Sequence, residues 1–360
     1  MKMPATVIRE EIRKKAVISF ARFMELALYC PESGYYEAKK DSVGRGGDFI
    51  TSVSVGPLFG ELLAWQFAGW LQDLSGATPR PTIVEAGAHQ GTLAGDILGW
   101  LQKHRADLFG RLEYVISEPS PRRRGWQRQT LAAFAPRVRW VAGFGGAAAE
   151  HFHGIIFSNE LLDAFPVHRF GWDAGKREWF EWGVALQGEA FGWCKIPNSA
   201  PALGGLCPPE LEAVLPDEYV VETSPAAAGW WREAADALAA GKLLTIDYGH
   251  SAEETFSPAR LHGTLRAYRH QQVADDVLAD PGAQDLTAHV NFGAIQRAGE
   301  SAGLRSEQFC PQPQFLTRIL QRAAAENLFT RLDAKQVRQF QTLTHPEHLG
   351  RAFRVLVQGR

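Results

Sequence analysis

From Thr82 onward the chain alternates short apolar runs with amphipathic stretches, and that alternation restricts it to an α/β fold built on a parallel sheet. Thr82–Ala86 (TIVEA) reads as a buried strand, and 92–103 as a helix turning Leu93, Ile97, Trp100 and Leu101 inward. Strands follow at 113–118, Val138–Val141 and 154–158, with a helix over 121–134. The alternation resumes later. Ser224 caps a helix that has Pro225 at its first position and Gly241 past its end, and 243–247 (LLTID) is a strand. Helix 292–302, strand 304–309, a further helical stretch and strand 351–358 complete the pattern. Seven such strands predict a Rossmann-like, doubly wound, mostly parallel sheet with right-handed crossovers.

Two regions depart from that rhythm. Before it, 6–29 reads as a helix in which Ser19 caps an apolar stripe of Phe20, Phe23, Met24, Ala27 and Leu28. A Gly- and charge-rich loop over 30–48 and a helix over 57–71 follow. Within the alternation, 167–195 interleaves aromatic and polar residues around turns at 173–175 and 187–188, which predicts an inserted antiparallel meander. Its aromatics suit a lid, a docking surface or a homodimer contact equally well.

Charge and cysteine content exclude several classes. Lys plus Arg number 38 against 40 Asp plus Glu, so no basic surplus marks a nucleic-acid binder. The run Arg122, Arg123, Arg124 reads as a solvated helix face. Four scattered cysteines without a C-x-x-C pair point to a reducing compartment and away from zinc or disulfides. No apolar run approaches the roughly 18 residues of a membrane span. Glu10 and Glu11 among the N-terminal basic residues argue against a transit peptide, so a cytoplasmic location is expected.

The chemistry concentrates at one sheet edge. In IVEAGAHQGTL (83–93) a strand runs through a turn holding Gly87 and Gly91 into a helix, whose free N–H groups and glycine backbone admit a ligand. Glu85 precedes the first glycine, and Glu118 ends the next strand, where a carboxylate can hold a ribose diol. The spacing and the missing G-x-G-x-x-G disfavour NAD, leaving a Rossmann oxidoreductase as a weak rival. S-adenosylmethionine, a nucleoside without pyrophosphate, fits better. Asn159, Glu160 and Asp163 emerge at the same edge in SNELLDAFPV (158–167). A pair of carboxylates there could orient a guanidinium, which stays protonated and must be steered to attack a methyl. Asp247–Gly249 closes another strand there as a turn. His270 and His289 lack metal-ligand spacing, and neither a G-x-S-x-G elbow nor a P-loop is present.

These stretches, in order, resemble the MidA-like methyltransferases, a bacterial and mitochondrial group tied to respiratory complex I assembly. The resemblance is carried by ISFARFMELALYCPESGYY (18–36), GDFITS (47–52), IVEAGAHQGTLAGDIL (83–98), SEPSPRRRGWQ (117–127), IIFSNELLDAFPVHRF (155–170), LLTIDYGH (243–250) and PGAQDLTAHVNF (281–292). It implies a class I methyltransferase fold, S-adenosylmethionine as donor, and arginine in a complex I subunit as acceptor. By position, Glu85, Gly87, His89, Gly91, Thr92 and Glu118 match the donor-binding pattern. Tyr36, Gly47, Asp48 and Thr51 match a segment closing over the donor, and Asn159, Glu160 and Asp163 the segment beside the transferred methyl. Residues 1–75 would then form a helical cap over the donor site, and 76–360 the methyltransferase domain with an insertion at about 167–215. Three positions depart from the family pattern: His89 stands for a glycine, Ser54 for an acid, and Asn291 for an aspartate. A protein that keeps the fold and the donor for assembly without transfer is therefore the alternative.

Overall fold

The computed structural model describes residues 3–38, 51–74, 80–145, 150–196, 207–269 and 272–360. Seven strands make the central sheet: β1 (Thr82–Ala86), β2 (Glu113–Ser117), β3 (Val138–Val141), β4 (Phe152–Asn159), β5 (Leu238–His250), β6 (Arg305–Pro311) and β7 (Phe353–Gly359). Their order is β6-β7-β5-β4-β1-β2-β3, with Val290–Asn291 added beside the end of β5. Only β7 runs antiparallel to its neighbours β5 and β6; the other pairings on this path are parallel. The chain reverses direction of travel across the sheet between β1 and β4, which opens a crevice at their carboxyl ends.

Helices cover both faces because both carry apolar side chains. Leu58–Asp73, Thr92–His104 and Gln312–Ala325 pack on one face around Phe67, Ile97, Phe157 and Phe353. Pro225–Ala237 and Phe292–Ser301 pack on the other around Trp231, Ile156 and Leu356. A third cluster joins the N-terminal helices to two small antiparallel sheets. One contains His168–Asp173, Glu178–Gln187 and Ala190–Lys195, as the aromatic alternation predicts. It also recruits Ile18–Ser19 and Val220–Thr223.

Two local expectations are corrected. The single helix over 6–29 is two, Pro4–Lys15 and Phe20–Tyr29, because Ala16 turns to φ 66° and the chain then pairs as a strand. Ser19 does cap the second helix, accepting from the Arg22 N–H. Gly241 does not end a helix. It sits inside β5, at φ 128°, against Gly154 of β4, where a Cβ would strike the Gly154 carbonyl oxygen.

Candidate active site

The crevice between β1 and β4 is a cavity of about 1290 Å³, lined by the strand ends and by the N-terminal helices. It brings together Tyr36, Thr51, Glu85, Gly87, His89, Thr92, Glu118, Asn159, Glu160 and Asp163. Gly91 is not on the lining. It takes φ 86° at the helix start and faces Leu131, so its role is to turn the backbone. Gly47 and Asp48 lie outside the described residues, as does His270.

On the β1 side, Gly87 has φ 74°, and a Cβ there would come within 2.8 Å of the Leu161 side chain. His89 also adopts a left-handed backbone, φ 45°. The turn thus keeps the shape a glycine would allow, with a side chain added to the cavity wall. Glu85 is buried and accepts from the Tyr114 hydroxyl at 2.6 Å. Burial, reinforced by the Asp96 charge, pushes its carboxyl up to about 7.

Glu118 is held more rigidly. Its Oε1 accepts from the Ser120 N–H at 2.9 Å and from Arg123 Nε at 2.9 Å, and its Oε2 from Gln127 Nε2 at 3.2 Å. A carboxylate offers about four acceptor positions, so capacity remains toward the cavity. These contacts correct the reading of Arg122–Arg124 as a solvated face. The Arg123 side chain is 12% exposed and ion-pairs with Glu118, while Arg124 Nε donates to the Glu118 carbonyl. The helix carries that run back over the strand end, which a one-dimensional charge run does not reveal.

On the β4 side the chain turns sharply, with Glu160 at φ 51° followed by a short 3-10 turn, Leu162–Ala164. Such backbone strain persists only where surroundings impose it. Asp247 imposes it here: its Oδ2 accepts from the Leu161 and Leu162 N–H groups at 3.1 and 2.8 Å. The segment Asp247–Gly249, expected to be a turn, is instead part of β5, and its aspartate clamps the neighbouring loop. Glu160 Oε1 accepts from the Ser52 N–H at 2.9 Å and from Asn159 Nδ2 at 3.1 Å. Its Oε2 and the Asn159 Oδ1 are buried without a hydrogen-bond partner among the described residues. Ser54 completes a capping box with Thr51, so the segment that lost an acid still presents Ser52 to Glu160.

Burial pushes Glu160 up to about 8 and Asp247 to about 7, and raises Asp163 well above the carboxylate range, with the charges of Asp247, Asp285 and Glu160 adding to it. Three tyrosines missed in the sequence, Tyr29, Tyr248 and Tyr268, join Tyr36 on the same lining. Tyr29 stacks on Tyr36, and the Tyr36 hydroxyl donates to Asp285 Oδ1 at 2.8 Å. His289 lines the wall with a buried, unpartnered Nδ1, and burial lowers it to about 4.

A pH prediction follows from these acids. A carboxyl whose folded value is raised binds a proton that the unfolded chain has released, so its contribution is complete below the ordinary carboxylate range and lost as pH climbs through the folded value. For Glu85, Asp247 and Glu160 that loss begins near the ordinary carboxylate value and is complete by about pH 7 to 8. The melting temperature of the ligand-free protein should fall from about pH 5 to about pH 8, with each such group contributing up to about 1.4 kcal/mol per pH unit below its folded value. Glu85→Gln, which keeps an acceptor for Tyr114, should flatten that slope. Identical slopes in the two proteins would show that Glu85 does not titrate there.

A doubly wound sheet in this strand order, with a cavity walled by a glycine turn and a strand-end carboxylate, defines a class I S-adenosylmethionine-dependent methyltransferase. Comparison with known proteins supplies the family. Residues 62–310 match the model of a family of S-adenosyl-L-methionine-dependent methyltransferases, and the chain belongs to it. The fruit-fly protein named protein arginine methyltransferase NDUFAF7 homolog, mitochondrial, is 28% identical over 98% of this chain and 84% of its own length (Drosophila melanogaster). The human protein arginine methyltransferase NDUFAF7, mitochondrial, is 27% identical over 81% of this chain and 67% of its own. A superfamily relative from Burkholderia thailandensis, solved with S-adenosyl-homocysteine bound, is 33% identical, with a TM-score of 0.86 over 99% of this chain and 92% of that one. The chain is a methyltransferase with S-adenosylmethionine as its donor, and the oxidoreductase rival falls.

The relatives also overturn the expected cytoplasmic location, since they are named mitochondrial. That expectation rested on the acids of 1–15. In the structure Pro4–Lys15 is a helix packed through Ile8 and Ile12 into the core, so its charge composition reflects packing and does not decide the compartment. No helix among the described residues is long and apolar enough to cross a membrane.

Proposed function

We propose that this enzyme methylates an arginine side chain of a protein, with a subunit of respiratory complex I as the acceptor. The observation that carries the reading is the buried, unpartnered Glu160 Oε2 on the cavity wall, beside Asp163 and the unpartnered Asn159 Oδ1. Acceptor atoms buried without donors are costly, and a cationic donor and a guanidinium acceptor both supply what they lack. The relatives named protein arginine methyltransferases support arginine as the acceptor side chain.

The residues present fit the donor. Glu118, preset by Ser120, Arg123 and Gln127, would take the ribose hydroxyls; the Gly87–Thr92 turn would pass beneath the nucleoside; Thr51 and Tyr36 would close from the N-terminal cap. When bound, S-adenosylmethionine supplies an electrophilic methyl on a sulfonium. Glu160 and Asp163 would hold the guanidinium in one orientation, which concentrates its weak nucleophilicity on one nitrogen. Methylation of a guanidinium releases one proton, which Glu160 Oε2, buried on the cavity wall without a donor of its own, would accept. We divide the chain into a cap, 1–75, and a catalytic domain, 76–360, with the aromatic sheet of its insertion as the surface for the acceptor protein or a second copy of the chain.

Intact-mass analysis tests this on purified complex I subunits incubated with enzyme and S-adenosylmethionine. A gain of about 14 Da mapping to arginine is expected. Donor binding with no mass gain on any subunit would favour the assembly protein without transfer, to which the altered residues His89 and Ser54 point.

A further inference from the structure

Part of the cavity wall is a small antiparallel sheet, in which Arg266–Arg269 pairs with Asp285–Thr287. Alternation along paired strands sorts its side chains. Ala267 and Leu286, directly opposed, are buried in the apolar cluster of the N-terminal helices. That leaves Tyr268 and Asp285, also directly opposed, on the other face, and both line the cavity. Opposed residues place their Cβ atoms about 5 Å apart, so ring and carboxylate present themselves together.

Asp285 is fully buried and oriented by the Tyr36 hydroxyl. Its strand is tied to the loop after β4 as well, because the Ala288 N–H donates to the Asp163 carbonyl at 3.0 Å. Asp163 and Asp285 therefore reach one cavity from two elements held in fixed relation. The unpartnered Glu160 Oε2 on the same cavity is the independent sign that a donor-rich ligand belongs there.

We propose that Asp285 and Tyr268 are acceptor-recognition residues: the Asp285 carboxylate takes N–H groups of the acceptor's guanidinium, and the Tyr268 ring lies against its face. The assignment rests on the arginine reading given under Proposed function. A guanidinium suits this wall better than an ammonium, because it is planar, stacks on rings and offers a fork of donors to carboxylates on separate elements. The small sheet contributes none of the seven strands around the donor crevice, so these two acceptor contacts lie outside the strands that frame the donor.

The test uses ethylguanidinium as probe, titrated into the full-length protein saturated with S-adenosylhomocysteine. Wild type is expected to bind it, and to bind ethylammonium at least about tenfold more weakly. Asp285→Asn should weaken ethylguanidinium at least about tenfold, and Tyr268→Leu several-fold, with S-adenosylhomocysteine affinity within about twofold of wild type in both. Retained S-adenosylhomocysteine affinity certifies the fold of each variant; where Asp285→Asn fails that check, Tyr268→Leu decides. Ethylguanidinium bound equally by wild type and the folded variants would overturn the assignment and leave the arginine reading standing. A wild type that ignores ethylguanidinium, or prefers ethylammonium, would overturn the arginine reading and this assignment with it.

Discussion

Glu160→Gln should lower the turnover number by about 100- to 1000-fold while leaving S-adenosylhomocysteine affinity within a few-fold of wild type. The substitution keeps the shape and an oxygen that can still accept from Ser52 and Asn159, so the strained turn survives. What it removes is the negative charge. Orientation of a guanidinium by a buried carboxylate is a charge-assisted contact in a site of low polarity, and losses of this kind reach about 3–4 kcal/mol at the transition state. The pH profile offers a second readout. Since Glu160 must be ionised to act and burial raises it to about 8 in the free enzyme, the wild-type kcat/KM should climb with pH through that region. In the variant that limb should disappear. A variant that keeps half of the wild-type turnover, with an unchanged profile, would remove Glu160 from the chemistry.

The surroundings of Glu160 also explain which parts of the site were legible in sequence. Strand ends were, because buried parallel strands are short apolar runs with abrupt stops: Thr82–Ala86 and Val138–Val141 are found as read, and Glu118 and Asn159 follow from where their strands end. The aromatic insertion announced itself by alternation. Contacts between distant segments were not legible. Asp247 looked like a turn residue because its function, accepting two N–H groups 85 and 86 residues earlier, exists only after β4 and β5 pair. The pairing of Tyr36 with Asp285 spans 249 residues, and no local pattern signals it. Arg123 was misread for a related reason. A charge run on a helix says nothing of which member faces a buried acid five residues back. The break at Ala16 escaped notice because alanine is the best helix former, and only the strand that follows forces it out of the helix.

Gly87→Val should abolish measurable donor binding, a loss of at least about 100-fold in S-adenosylhomocysteine affinity, and the loss should exceed what strain alone explains. The strain is real. At φ 74° a β-branched residue is forced from its allowed region, at a cost of about 1–3 kcal/mol. The new side chain also meets Leu161, whose N–H is held by Asp247, so the Gly87 turn and the Glu160 loop would be pushed apart. A stability loss is thus expected beside the binding loss, and an unaltered melting temperature would contradict this geometry. Gly91→Ala separates the two effects. It carries a comparable backbone penalty at φ 86° and presses on Leu131 at 3.2 Å, yet it lies off the cavity. That variant should lose about 1–2 kcal/mol of stability and keep donor affinity within a few-fold. If both glycine variants lose the donor to the same degree, the turn responds to strain as one unit, and Gly87 has no special contact with the ligand. If Gly87→Val binds as well as wild type, the donor does not pass over this turn, and His89 four residues from β1's last buried carboxylate, Glu85, becomes irrelevant to affinity.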